Sequence, residues 1–244
     1  MKKHILIIIS LISVCMLSSC NNTGPTGPQG EKGDSGLGYK EITLPVTRSN
    51  YIIKGIDASL EDMQGVGIEL ALGCRKEWFS VSEYKVADIS RVLLYFDTSE
   101  LDILPSNIIS ANITVYKAYE LISITSYVEL TYVVYPVLKS WHEDDLSWKK
   151  PWDNPGGDYA ADYQIGTLMC YDENKLETPD MPVKINLDIN YVKNWLLTDR
   201  NYGVLIKYKK EQGVVGEKNL SNNRIILHDR GDRKPKLQII YQAE

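Results

Sequence analysis

The chain has 244 residues, 43% of them hydrophobic and 24% charged, with 27 Lys and Arg against 32 Asp and Glu and a formal net charge of -5. That length is enough for one sizeable core after short terminal segments. The acidic balance argues against a nucleic-acid partner, because phosphate binding draws chiefly on Lys and Arg.

In chain order, Lys2 and Lys3 form a short positive region, and Ile5 to Leu17 is an apolar run broken only by Ser10 and Ser13. The run is too short and wrongly flanked for a stable spanning helix, and it has the form of a secretory signal. Leu17-Ser18-Ser19-Cys20 follows and resembles the bacterial lipobox: an aliphatic residue, two small residues, then cysteine. A thiol can accept a diacylglyceryl group, and small residues admit a peptidase to the bond before it. The expectation is that residues 1–19 leave as a lipoprotein signal peptide and that Cys20 carries the lipid. Two or more acyl chains anchor a protein stably, so it would sit on a membrane without crossing it. Loss of Lys2 and Lys3 takes the formal charge from -5 to -7. This reading places the protein in the cell envelope, in the outer membrane. Asn21-Asn22-Thr23 leaves open whether it faces the periplasm or the exterior.

Of four cysteines, Cys15 departs with the signal and Cys20 is acylated. Cys74 and Cys170 are left either to pair in an oxidising compartment or to stand as two separate thiols. Neither has close Cys or His neighbours in the sequence, which argues against a zinc site.

Residues 24–38 place glycine at positions 24, 27, 30, 33 and 36. Glycine at every third position is the collagen signature, since only glycine fits the triple-helix axis. Five triplets are few, and a hydrated spacer over residues 20–38 is the preferred reading. The sharper alternative is a homotrimer held by this stalk.

From residue 39 to 244 most segments alternate with period two and favour β-branched residues. Strands are predicted over Val66–Leu72, Arg91–Phe96, Ile108–Tyr116, Leu130–Leu138, Val183–Leu187, Gly203–Tyr208, Arg224–His228 and Lys236–Tyr241. Pro136 marks an edge strand or a strand end. Only Asn190–Leu197 has helical spacing, with Tyr191, Val192, Trp195 and Leu196 on one side. The expected fold is all-β: a two-sheet antiparallel β-sandwich, jelly-roll-like, with one short helix. Loops are expected at Glu61–Gly65, Arg75–Asp88 and Lys149–Asp180, the last being long enough to suggest function.

The chemistry legible in the sequence favours binding over catalysis. The chain lacks both the Gly-x-Ser-x-Gly nucleophile turn and the Gly-x-x-x-x-Gly-Lys phosphate loop. His142, beside Glu143, Asp144 and Asp145, reads as a solvated turn rather than a metal or acid/base cluster. No cofactor is expected. Asp144, Asp145, Asp153 and Asn154 offer oxygen ligands without calcium-loop spacing, so structural calcium is left unassigned. Glycan binding needs aromatic faces with polar groups alongside. The loop aromatics Trp78, Trp152, Tyr159 and Tyr163 are the candidates, with Arg75 and Lys149 as flanking cations.

The order of several motifs resembles the DNRLRE-domain family of extracellular bacterial β-sandwich modules. Arg91-Val92-Leu93-Leu94-Tyr95-Phe96-Asp97 is similar to its Arg-x-Leu-Leu-x-Phe-Asp segment, and Ile108 to Tyr116 to the strand that follows. Trp141, the acidic Glu143 to Asp145, Trp148 and Pro151 resemble its Trp-acidic-Trp-Pro stretch. Ile189 to Trp195, Asn201-Tyr202-Gly203-Val204-Leu205 and Pro235 through Tyr241 are similar to its late motifs. The likeness covers most of residues 50–243. It departs at Ile225 to Asp229 and in the long Cys74 to Asp88 stretch. The resemblance implies a non-catalytic carbohydrate-binding domain, in some members for acidic polysaccharides of the alginate type. It also implies that Trp141 and Trp148 pack inside or pin the long loop, and that Trp195 is a core residue.

Overall fold

Period-two alternation sets the first layer. β1 (Tyr39–Pro45), β11 (Lys236–Gln242), β5 (Ile108–Ile122) and β8 (Met181–Asn186) pair antiparallel, with Leu44, Leu237, Ile113 and Ile185 directly opposite one another. Residues opposite each other across a ladder share one face of the sheet. Leu237, Ile113 and Ile185 are completely buried, so this row points into the core. The computed structural model describes residues 38–55, 65, 69–80, 83–122, 130–170, 180–198, 200–211 and 223–243. Side chains at 76–80, 83–87, 119–122, 130 and 223 fall outside that description. The described residues belong to one compact unit, Leu37–Glu244.

The remaining strands are β2 (Arg48–Gly55), β3 (Glu69–Ser80), β4 (Glu83–Tyr95), β6 (Leu130–Pro136), β7 (Gly166–Cys170), β9 (Val204–Tyr208) and β10 (Asn223–His228). The hydrogen-bonded order is β1-β11-β5-β10-β3-β4-β9-β6-β7, with β2 on β4 and β8 on β5. Every named pairing is antiparallel. β3 carries the chain from one sheet to the other: Glu69 to Leu72 pair with β10, and Gly73 onward pairs with β4. Gly73 sits at the changeover with φ of 109°, a backbone conformation open to glycine at little steric cost. The result is an all-β, sandwich-like fold with one short helix.

That helix, α1 (Ile189–Thr198), starts where Asp188 Oδ1 accepts the Asn190 backbone N–H at 2.9 Å, a side-chain cap. Its apolar spacing buries Val192 and Trp195. No described helix is long and apolar enough to cross a membrane.

The middle strands of the second sheet are dry on both faces. Val92, Leu93 and Leu94 in β4, and Val204, Leu205 and Ile206 in β9, are all fully buried although neighbours point to opposite sides. The cover on one side is the segment after β6. There Gly157 has φ of 104°, a conformation that strains other residues, and a side chain added to it would meet Leu205 Cδ1 at 2.7 Å.

Two expected loops are corrected. Arg75–Asp88 is part of the β3–β4 hairpin; its charges read as loop because they alternate, yet they lie on a ladder that sets Arg75 opposite Asp88 and Glu77 opposite Lys85. Lys149–Asp180 is interrupted by β7, which pairs with β6. The expected strand at Val66 starts at Glu69 among the described residues, and β1 and β2 had no prediction. The signal segment, Cys20 and the glycine repeat lie outside the described residues, as do positions 61–64 and 171–179 of the expected loops.

Candidate functional site

The buried tryptophans define what the long segment does. The Trp141 indole N–H donates to Tyr202 O at 2.9 Å, and the Arg48 guanidinium lies 3.9 Å from the Tyr95 ring centre and 5.3 Å from that of Trp141. Trp148 is buried with Arg91 4.6 Å above its ring, and the Arg91 Nη1 donates to Gly156 O at 2.6 Å. Arg91 also forks onto Glu211, with Nη2 2.6 Å from Oε2, while Lys207 Nζ reaches the same oxygen at 3.1 Å. A half-buried arginine held by a carboxylate, a carbonyl and a ring thus fastens residues 148–156 onto the sheet.

This arrangement removes Trp152 from the candidate set. It is only 7% exposed, and its indole N–H donates to Ser147 O at 3.0 Å. It cannot offer a ring face to a ligand, because the apolar outer side of β4 and β9 needs covering and Trp152 is part of the cover. Tyr159 is also pinned: it bridges to Val137, its ring packs 5.1 Å from that of Tyr135, and Lys207 Nζ donates to its hydroxyl at 3.3 Å.

Arg75 lies on β3, where its Nε donates to Asp88 Oδ2 at 2.7 Å. Trp78 lies farther along β3, opposite Tyr84, with its side chain outside the described residues. Lys149 is exposed in the turn after Trp148. The six candidates therefore occupy different parts of the fold, and Tyr163, 42% exposed, lines an open concavity.

That concavity is a groove of about 480 Å³. The end of β6 forms its floor, and Leu138 there is 58% exposed. Tyr163, Tyr191 and Asn194 of α1, Arg200 and Tyr202 also line it. The Tyr163 and Tyr191 rings meet edge to face, 6.1 Å apart at 69°, so they make a corner rather than a flat shelf. Tyr191 in turn rests edge-on against buried Trp195 at 5.0 Å.

The Tyr163 hydroxyl donates to Asp188 Oδ2 at 2.7 Å, the second oxygen of the carboxylate that caps α1. This hydrogen bond holds the Asp188 carboxyl below its usual range and raises the Tyr163 phenol. Burial pushes the Tyr191 hydroxyl up to about 12. Both tyrosines are therefore neutral at physiological pH, with Asp188 ionised. Arg200 is exposed and has no carboxylate partner among the described residues. The groove can pack an apolar ring surface, exchange hydrogen bonds and place one positive charge at its rim.

Reasoning from the sequence missed Tyr191, Asn194, Arg200 and Tyr202. Tyr191 was assigned to the apolar side of α1, and half of that assignment holds, since one edge of its ring meets Trp195. The available signal was the helical spacing of Tyr191 and Asn194 combined with the exposed Arg200 just past the helix end.

Other polar clusters stand apart from the groove. His142 is exposed, with Nδ1 3.6 Å from Asp144, in a 3-10 turn over Glu143–Asp145. Asp229 Oδ2 accepts the Ser49 hydroxyl at 2.7 Å, and Glu143 Oε1 accepts the Ser49 N–H at 2.6 Å. Asp180 Oδ1 joins His228 and Arg233, each at 2.6 Å. Among the described residues no three His, Cys, Asp or Glu side chains converge as a metal site would require. Cys74 is a buried thiol and Cys170 a half-buried one. No family model matches the chain, and no curated protein matches it.

Proposed function

We propose that the domain is a non-catalytic polysaccharide-binding module, carried on the cell envelope by a lipid on Cys20, with the tyrosine groove beside α1 as its binding seat. The observation that supports this most is the exposed Tyr163, set edge to face with Tyr191 in an open groove that Arg200 also lines. Sugar rings present apolar C–H faces and hydroxyl edges, and that pairing of surfaces suits both. On this reading, residues 20–38 are a hydrated spacer between membrane and domain, in the outer membrane. The motif order that resembles the DNRLRE-domain modules supports the same class of ligand.

The glycine repeat favours a second reading, a structural or adhesive protein presented as a homotrimer. A glycan array on residues 37–244 separates the two. Binding to one sugar class, weakened roughly tenfold by Tyr163→Ala at unchanged melting temperature, supports the first; truncating an anchoring interface tyrosine costs about 1–2 kcal/mol. A blank array, together with a trimeric mass for the full mature chain, favours the second.

A further inference from the structure

The outward face of the first sheet carries a row that the groove does not use. Thr43, Gln238, Asn112 and Asn186 stand directly opposite one another across β1, β11, β5 and β8. They alternate with the inward row of buried Leu237, Ile113 and Ile185 and partly buried Leu44, so they face away from the core. Every member is a neutral hydroxyl or amide. With strands about 4.8 Å apart, the row spans about 14 Å. The row does not satisfy itself. Thr43 Oγ1 and Gln238 Nε2 donate sideways to Glu41 Oε1 at 3.4 and 3.1 Å, Gln238 Oε1 accepts the Thr114 hydroxyl at 3.5 Å, and Asn112 Oδ1, screened from water, accepts no bond among the described residues.

The row ends beside the groove. Asn186 is exposed at the end of β8, and Asp188, two residues on, accepts the Tyr163 hydroxyl. Two residues span at most about 7 Å, so the polar row and the rim of the groove adjoin. The geometry points to a single extended track, in which a polyhydroxylated chain has one ring in the groove and its following rings across β8, β5, β11 and β1. This inference rests on the groove as the binding seat and specifies its ligand. The ligand is a polymer several rings long, held on the sheet by hydrogen bonds to uncharged side chains, not a single terminal sugar.

Affinity as a function of ligand length tests it. Xylan, galactomannan and alginate are each titrated as polymer and as trisaccharide against residues 37–244. The wild type is expected to prefer the polymer it binds by tenfold or more. The exposed-face variant Asn186→Ala/Gln238→Ala should lose that preference while keeping its trisaccharide affinity and melting temperature. Asn186→Trp, which blocks the row without truncating it, should do the same. Full polymer affinity in both variants, alongside lost binding in Tyr163→Ala, overturns the track and leaves the groove. Lost polymer preference in both variants with undiminished binding in Tyr163→Ala supports the sheet face and overturns the groove as the seat. No binding of any of the three polysaccharides by the wild type overturns both.

Discussion

Replacing Arg91 by methionine keeps most of the side chain's volume but removes its charge and all its donors. Glu211, whose side chain is only 4% exposed, would then keep Lys207 alone among the described residues. Gly156 O would lose its 2.6 Å donor, and the ring of Trp148 its cation. Removing one partner of a buried ion pair costs about 3–5 kcal/mol, because the other charge stays buried without compensation. Lys207 moderates the loss, so the lower end is expected. For a domain of this size each kcal/mol lowers the melting temperature by about 2–4 °C, so a loss of about 3 kcal/mol gives roughly 6–12 °C. Thermal unfolding followed by tryptophan fluorescence reads this directly. Arg91→Met/Glu211→Met should recover most of the loss, since well-packed apolar replacements of buried ion pairs are often neutral. A melting temperature for Arg91→Met within 1 °C of wild type would refute the claim that this network holds residues 148–156 in place.

Trp152→Ala should destabilise the domain by about 3–5 kcal/mol in denaturant titration, as deletion of a buried indole does, rather than act on binding alone. A stable Trp152→Ala domain would mean that this ring is not part of the cover. Burial raises the Asp229 carboxyl above its ordinary value, against the opposing Ser49 hydrogen bond. Its folded form therefore favours the proton. That stabilisation is complete below the ordinary carboxylate value and is lost as pH rises through the raised one. Asp229→Asn should accordingly raise the melting temperature at pH 7 and make no difference at pH 3; a gain of equal size at both would contradict this assignment. Burial, with Glu211 nearby, pushes the Cys74 thiol up to about 12. Iodoacetamide at pH 8 should leave Cys74 unlabelled in the native domain and label it once guanidinium unfolds the chain, as read by peptide mass.

Several features of the fold were legible because they are local. Alternation over five to nine residues located β5, β6, β8, β9, β10 and β11, and the spacing of Val192 and Trp195 located α1. The hairpin from Arg75 to Asp88 was not legible, because a charged strand pair and a charged loop have the same composition. What separates them is the partner strand that sets Arg75 opposite Asp88. β1 was obscured in the same way, as only Ile42 and Leu44 of its seven residues turn inward.

Taken alone, the sequence determined the all-β class, the single helix and the inward side of Trp195; that Trp141 and Trp148 pack inside or pin the long loop was implied by the resemblance, and the structure buries both. The N-terminal signal pattern, Cys20 and the glycine repeat are likewise properties read from sequence. Only the tertiary structure decided between Trp152 and Tyr163, two loop aromatics that look alike in the chain. The runs Val92-Leu93-Leu94 and Val204-Leu205-Ile206 put apolar side chains on both sides of the second sheet, so something had to cover them, and the segment carrying Trp152 does so. Tyr163 lies beyond that cover and meets the first turns of α1, where a capping carboxylate holds its hydroxyl and leaves its ring in solvent. Exposure of a side chain depends on what distant residues pack against it, and that information is not carried by its neighbours along the chain.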